Sequence, residues 1–356
     1  MSATPETPAP ANEPPRSTGL RWKLGAVLVV TGLCLAWVLR GVHWGELWEA
    51  MAQARMGWVL PVFAIYLTNH CIRSVRLRML IDRPDIPFRE MFSVTTIGFL
   101  AINVVPLRLG EFVRPYLLLE RQQVPFGRSL AAIVVERLVD LMCLMVLLLL
   151  VGMFVELPVD GLVIQGIDVV QAGQRVFGVS IGVGLLFLLA LAAIGEPVIQ
   201  LVLRLIPVPA LAEKLGGFLR SFHSGLVNLM KRPARALAVL AMSGTMWVGI
   251  VLSTWLVLHA FAGLPTGWDA ALTTWTLIIT GMTLIPTPGF FGSYEAFAVA
   301  ALSLWGVSKS LATAFAGTLH LTQFLFIVGL GSIFLVVEGI SLRSVVDRSR
   351  DAFKES

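Results

Sequence analysis

Residues 236–268 read ALAVLAMSGTMWVGIVLSTWLVLHAFAGLPTGW, 33 positions without an Asp, Glu, Lys or Arg. About 20 apolar residues cross the roughly 30 Å hydrocarbon core of a bilayer as a helix. The stretch is apolar on every face, so it reads as a membrane span and not as the buried side of a surface helix. Residues 310–337, SLATAFAGTLHLTQFLFIVGLGSIFLVV, repeat the pattern over 28 positions.

The rest of the chain agrees. Of 356 residues 56% are apolar and 14% are charged, against about 25% charged in a soluble domain, and the mean hydropathy is +0.82. An ordinary soluble globular protein is excluded. A transmembrane barrel needs segments of about 10 residues alternating apolar and polar, which these runs are not. The expected fold class is an all-α polytopic membrane protein. Cys34, Cys71 and Cys143 fall in or beside separate apolar runs without a CxxC pair or a nearby His, so neither a disulfide framework, a metal site nor a cofactor is expected. The net charge of +5 has no soluble domain to carry a nucleic-acid surface, and it reads as an orientation signal.

Lys and Arg concentrate in cytoplasmic connections. Residues 1–23 hold three, 73–90 five, 108–128 four, 196–235 six and 341–356 four, whereas 40–55 hold two, 156–175 one and 263–269 none. Full spans are therefore expected at 24–39, 56–72, 129–155, 176–195, 236–262 and 310–338, with both termini cytoplasmic. Residues 1–19, rich in Pro, Ala, Thr and Glu, are expected to form a disordered tail, 20–340 the membrane domain and 341–356 a C-terminal cytoplasmic tail. No small-residue cleavage site follows 24–39, so that stretch reads as a span rather than a signal peptide.

Two apolar segments do not fit as single crossings. Residues 91–107 have five Lys/Arg before them and four after, so both flanks belong to the cytoplasm. A re-entrant hairpin satisfies this, turning near Asn103, Pro106 and Gly110 and returning as a helix holding Glu111 to Leu119. Residues 270–285 and 296–308 flank Pro286-Thr-Pro-Gly-Phe-Phe-Gly-Ser-Tyr-Glu295, with outer ends poor in Lys and Arg, which reads as a hairpin from the opposite side. Full crossings of each arm would leave the termini unchanged and raise the span count from six to about eight to ten. Non-helical backbone at membrane depth must be buried in protein or line a wet cavity.

The order span, hairpin, span over 56–155 recurs over 236–338. Thr95-Thr96 precede Pro106 and Glu111 as Thr273-Thr274 precede Pro286 and Glu295, with unequal gaps. The two units start on opposite sides, which makes an inverted repeat of the kind that holds a carrier's binding site between its halves. Two hairpins that merely fill a bundle are the structural alternative.

Three constellations could carry chemistry. In Arg108-Leu-Gly110-Glu111-Phe-Val-Arg114, Glu111 and Arg114 share a helix face and can pair locally, although an Arg at a cytoplasmic helix end commonly snorkels to headgroups. In Glu136-Arg137-Leu-Val-Asp140 the two carboxylates are four apart on one face, and charges at that depth need partners or water. Arg108 and Arg114 are the nearest partners, as a structural ion-pair lock or as a lipid-phosphate or proton site. In the third, Pro286, Gly289 and Gly292 break the helix, and Ser293 or Glu295 sits at the next helix start, whose N-terminus favours an anion or a carboxylate. Secondary candidates are Asn69, His70, Arg73 and Arg76 in and beyond the second span, and His320 and Gln323 in the last; a lone intramembrane His is commonly a packing residue.

The sequences RLGEFVRPYLL at 108–118, VVERLVDL at 134–141 and PTPGFFGSYEA at 286–296 together resemble the lysylphosphatidylglycerol synthase transmembrane-region family of flippase-like membrane proteins. The resemblance covers residues 20–340 and implies a domain of the cytoplasmic membrane that moves a lipid across it, its partners being membrane lipids and envelope-lipid synthesis enzymes. It assigns substrate contact to Arg108, Gly110, Glu111, Arg114, Glu136, Arg137, Asp140, Pro286, Gly289, Gly292 and Glu295. In the family's aminoacyl-lipid synthases a soluble transferase domain follows the membrane region. This chain stops at Ser356, 18 residues after the last expected span, so lysyl-lipid synthesis is not expected of it alone.

Two functions follow. A flippase or scramblase would set the arginines against an anionic or modified (glyco)lipid headgroup, and without a GxxxxGK[ST] loop its driving force would be a gradient, downhill flow or a partner. An intramembrane glycosyl- or lipid-modifying transferase using a polyprenyl-phosphate donor would need a carboxylate base, for which Glu46 and Glu49 in the first external connection are the nearest pair.

Overall fold

The computed structural model describes residues 18–105, 110–156, 158, 163–164, 167–204, 212–213, 215–217, 219–220, 223, 227 and 231–355. The helices are α1 (Thr18–Leu39), α2 (Trp44–Gln53), α3 (Leu60–Ile81), α4 (Phe88–Val104), α5 (Val113–Gln122), α6 (Phe126–Phe154) and α7 (Val169–Ile194). They continue as α8 (Glu196–Arg204), α9 (Pro233–Ala260), α10 (Trp268–Leu284), α11 (Ser293–Ser303), α12 (Lys309–Val337) and α13 (Leu342–Glu355). Two two-residue strands, Val163–Ile164 and Ile167–Asp168, pair ahead of α7. Among the described residues α9 and α12 are each long and apolar enough to cross a membrane, and α1 with α2, bent by 83° at their junction, forms a third candidate.

Local chemistry sets the ends. Pro61 and Pro233 lie in the first turns of α3 and α9, where a missing N–H costs nothing. The Ser308 hydroxyl accepts the Leu311 N–H at the start of α12. Along α9 and α12, Val248 and Val336 are 66% and 81% exposed, an apolar outer surface that suits lipid and not water. At α2, Trp44 and Trp48 are exposed beside Glu46 and Glu49, the layout of a helix lying in a membrane interface.

Two helix-break-helix units are present, α4 with α5 and α10 with α11, flanked by α3 and α6 and by α9 and α12. The long helices cross-pack: α3 lies on α9, α4 on α12, and α10 on α6. One core, with Val62, Tyr66, Val257, Trp275, Tyr294 and Phe315, surrounds the second unit. The other, with Leu77, Val94, Ile97, Val113, Leu117 and Ile133, surrounds the first.

Several expectations change. Helix α3 runs to Ile81, past the expected end at 72, because both arginines point into protein, Arg76 onto the carboxylates of α6 and Arg73 into a cavity beside the Phe99 ring. They are not loop residues, so the positive-charge count for 73–90 overstates the loop. Residues 110–112 form a 3-10 turn, and α5 begins only at Val113, so Glu111 lies ahead of the helix it was expected to join. The expected external connection 40–55 carries α2, and the expected C-terminal tail is the helix α13, packed on α5 with Val345 buried and an Arg348–Glu120 ion pair at 3.2 Å. Of the expected tail at 1–19, residues 18 and 19 already belong to α1, and residues 1–17 lie outside the described residues, as do the expected hairpin residues Pro106 and Arg108.

Candidate functional site

Helix α6 carries Glu136 and Asp140 one turn apart, and α3 carries Asn69, His70, Arg73 and Arg76 within two turns. Their packing brings the arginines to the carboxylates. Glu136, with no exposed surface, meets Arg76 at 3.2 Å, Arg114 at 3.1 Å and Arg137 at 2.8 Å. Asp140 takes Arg76 at 2.7 Å and Arg137 at 3.6 Å. Arg76 also donates to the Ser243 hydroxyl on α9 at 2.8 Å, so one guanidinium ties three helices. Buried ions are tolerated only with such partners, since each loses several kcal/mol of hydration.

Arg114 therefore pairs with Glu136 and not, as its spacing allowed, with Glu111. It reaches inward because Gly98 on α4 has no side chain: a Cβ there would lie 2.2 Å from Arg114 Cγ. Gly110 brings the two arms of the first unit together, its own Cβ position being 2.3 Å from the Ala101 backbone. Phe99 presents its ring to Arg73 at 4.5 Å and to Arg114 at 5.3 Å.

Beside this network lies a cavity of about 400 Å³. Its charged lining is Arg73, Arg137, Glu111 and Asp140, with the amides of Asn69, Asn103 and Gln323 nearby. Its apolar walls include Phe99, Trp275, Met282, Phe290 and Phe326. Arg73 makes no ion pair within 4 Å among the described residues and faces the cavity beside the Phe99 ring. His70 also lines it, its ring 5.3 Å from Phe99 and 5.5 Å from Phe326.

The end of α4 meets the break of the second unit here. A Cβ on Gly289 would lie 3.4 Å from the Asn103 carbonyl oxygen, and Phe290, held at φ 62 in the left-handed region that L residues avoid, turns its ring into the cavity wall. Pro286 is exposed in the link leaving α10, and Gly289 and Gly292 are buried at φ 59 and 85, conformations that suit glycine.

The start of α11 was expected to favour an anion or carboxylate. The carboxylate is the chain's own Glu295, whose Oε2 accepts the Gly292 N–H at 2.7 Å. The other oxygen, Oε1, meets His320 Nδ1 at 2.5 Å, and His320 Nε2 meets the Gly289 carbonyl at 3.0 Å. Tyr294 stacks on the imidazole at 4.3 Å between ring centroids.

The expected residues thus fall into two places. Glu136, Arg137, Asp140, Arg114 and Arg76 form one network, with Arg73, Glu111, His70 and Gln323 along the adjoining cavity; Glu295, His320, Gly289 and Gly292 form a second cluster at the break of the second unit. Arg108 lies outside the described residues. Sequence reading missed Phe99, Trp275, Phe290 and Ser243 as site residues. Phe290 alone carried a signal, its place in the Pro-Gly break; the others look like ordinary span residues.

Comparison with known proteins follows this geometry. A 122-residue stretch is 28% identical to "Glycosyltransferase AglD" of Haloferax volcanii, covering 33% of this chain and 19% of that protein; the chain thus spans a small part of the relative it matches. No solved structure matches. The family model described as "Lysylphosphatidylglycerol synthase TM region" matches residues 24–331, carrying both helix-break-helix units and the ion-pair network, and the chain belongs to that family.

Proposed function

We propose that the protein is an integral membrane lipid transporter of the flippase or scramblase type, moving an anionic or modified (glyco)lipid across the cytoplasmic membrane, with both termini cytoplasmic. The observation that carries this reading is the cavity where the end of α4 meets the break between α10 and α11. Four guanidiniums, Arg73, Arg76, Arg114 and Arg137, stand in or behind its floor against three carboxylates, Glu111, Glu136 and Asp140. The cationic excess suits a phosphate, and the aromatic and aliphatic walls suit the adjoining glycerol or acyl region.

An inverted repeat is part of the proposal. Exchanging α3 with α9, α4 with α10 and α6 with α12 turns the contact of α4 on α12 into that of α10 on α6 and leaves α3 on α9 unchanged. Thr95, Thr96, Thr273 and Thr274 are all buried, the first pair two residues further along α4 than the second along α10. In this reading six helices cross fully, the two units re-enter from opposite sides, and membrane lipids and envelope-lipid enzymes are its partners.

The match to a glycosyltransferase favours a transferase as the second reading. Its expected base is poorly placed: Glu46 and Glu49 on α2 are engaged with His43 at 3.8 Å and Gln53 at 3.0 Å and do not line the cavity.

The test is translocation of fluorescent headgroup-labelled phosphatidylglycerol, cardiolipin and lysylphosphatidylglycerol in proteoliposomes, comparing wild type with Arg73→Gln and Arg137→Gln. Transport lost in both variants supports the reading. No movement of any lipid, with product formed from a supplied polyprenyl-phosphate sugar, overturns it in favour of the transferase.

A further inference from the structure

We propose that Glu295 and His320 together form a single-proton binding site that latches the broken helix to α12, and that releasing this proton frees the second hairpin. The proposal deepens the transporter reading by naming the coupling ion, and rests on that reading only for the word coupling.

The hydrogen-bond geometry carries it. A carbonyl accepts only, so the 3.0 Å contact between His320 Nε2 and the Gly289 oxygen places a hydrogen on Nε2. Nδ1 then lies 2.5 Å from Glu295 Oε1. A bare carboxylate oxygen and a bare imidazole lone pair repel at that separation, so one further proton sits between them. Written as Glu–COOH with neutral imidazole or as carboxylate with imidazolium, the pair holds one proton beyond the Nε2 hydrogen. Both side chains are buried, Glu295 at 8% and His320 at 3% exposure, and Glu295 Oε2 is already committed to the Gly292 N–H.

Loss of that proton leaves two choices. If Nε2 keeps its hydrogen, the Nδ1 lone pair faces the carboxylate; if the hydrogen moves to Nδ1, the Nε2 lone pair faces the Gly289 carbonyl. One of the two contacts joining the hairpin break to α12 must open. Gly289 also abuts the Asn103 carbonyl at the end of α4, so the latch bears directly on the contact between the two units.

Little else competes for the proton. The titratable groups on adjoining elements are Tyr66 and His70 on α3, Cys34 on α1 and Tyr294 on α11. On α2, Glu46 and Glu49 are engaged with His43 and Gln53, and on α10 Asp269 accepts the Ala270 N–H. On α9 His259 Nδ1 meets the Trp255 carbonyl, and at the start of α12 Lys309 binds the Trp37 and Arg40 carbonyls. On α4 Glu90 lies near Arg121 beside Arg89, while Arg76 and Arg114 belong to the network around Glu136 and Arg73 faces the cavity beside Phe99.

The experiment is 15N-histidine NMR of the full chain in nanodiscs, where five histidines and a His320→Gln variant make the assignment simple. The His320 nitrogens are expected to report the gain and loss of the one proton shared with Glu295 as pH is varied. Glu295→Gln should abolish that titration, because its amide N–H donates to Nδ1 as the protonated acid does. A second readout uses Cys34, whose Cβ lies 2.8 Å from the Cβ position of Gly292. In a Cys71→Ser, Cys143→Ser background, the maleimide labelling rate of the otherwise wild-type chain relative to Glu295→Gln should rise severalfold from low to high pH. A His320 signal that ignores pH, or titrates unchanged in Glu295→Gln, overturns the proposal, and should that variant not fold, the wild-type titration alone decides. Lipid movement with a non-titrating His320 sinks the proton site and leaves the transporter standing; a titrating pair in a chain that moves no lipid supports the latch and sinks the transporter.

Discussion

Gly98 and Arg114 occupy one volume: the place where residue 98 would carry a Cβ is filled by the Arg114 side chain, with only 2.2 Å to its Cγ. Gly98→Ala must therefore push Arg114 off Glu136 or part α4 from α5. Overpacking of this kind costs about 1–3 kcal/mol. A lowered midpoint in thermal unfolding in detergent, together with loss of lipid movement, is the expected outcome; an unchanged midpoint would show that Arg114 can reach Glu136 by another path.

Glu136 and Asp140 should differ in what they support. Neutralising Glu136, which has no exposed surface and three guanidinium partners, leaves buried cations facing one another. Glu136→Gln is expected to cost about 3–5 kcal/mol, the range for breaking a buried ion pair from one side. Asp140 borders the cavity and is partly exposed, so Asp140→Asn should cost about 1–3 kcal/mol. Denaturant titration of both variants checks the order.

Arg137 and Arg76 separate site from scaffold. Arg76 is fully buried and joins α3, α6 and α9, whereas the Arg137 side chain is 41% exposed and lines the cavity. Arg76→Gln should lower expression and thermal midpoint before any assay of function. Arg137→Gln should leave the midpoint close to wild type and reduce translocation of anionic lipids more than zwitterionic ones. Equal losses for both lipid classes would speak against a headgroup contact.

At the end of α3, Asp82 accepts a hydrogen bond from Arg235 and pairs with Arg232 at 2.9 Å, which together hold its carboxyl below the ordinary range. A carboxyl whose folded pKa is depressed adds stability above its unfolded value of about 3.9 and loses it as pH falls through the folded value. Wild type should therefore exceed Asp82→Asn in thermal midpoint near neutrality, and the two should converge in acid. Parallel curves across the whole range would show that the contacts are not coupled to folding.

Much of this protein is legible in one dimension. The uncharged runs at 236–268 and 310–337 are long enough to cross a bilayer whatever their neighbours do, and the prolines and glycines at 286–292 break a helix by local geometry alone. Both are properties of a few consecutive residues, so the helical membrane class and the break at 286–292 follow from sequence. The partnerships do not. Spacing puts Glu136 and Asp140 on one face of α6 but is silent on which helix meets that face, and the arginines that meet it include Arg76, 64 positions from Asp140. A rule that counts Lys and Arg as loop residues assigns Arg73 and Arg76 to the cytoplasm, because it cannot know that carboxylates from α6 pair with Arg76 and that Arg73 faces an internal cavity beside Phe99. Likewise Glu295 and His320, 25 positions apart, meet only because α11 folds back on α12. Local chain chemistry decided what each segment is, and tertiary packing alone decided which buried charge has a partner, since a lone charge in a low-dielectric interior is too costly to persist.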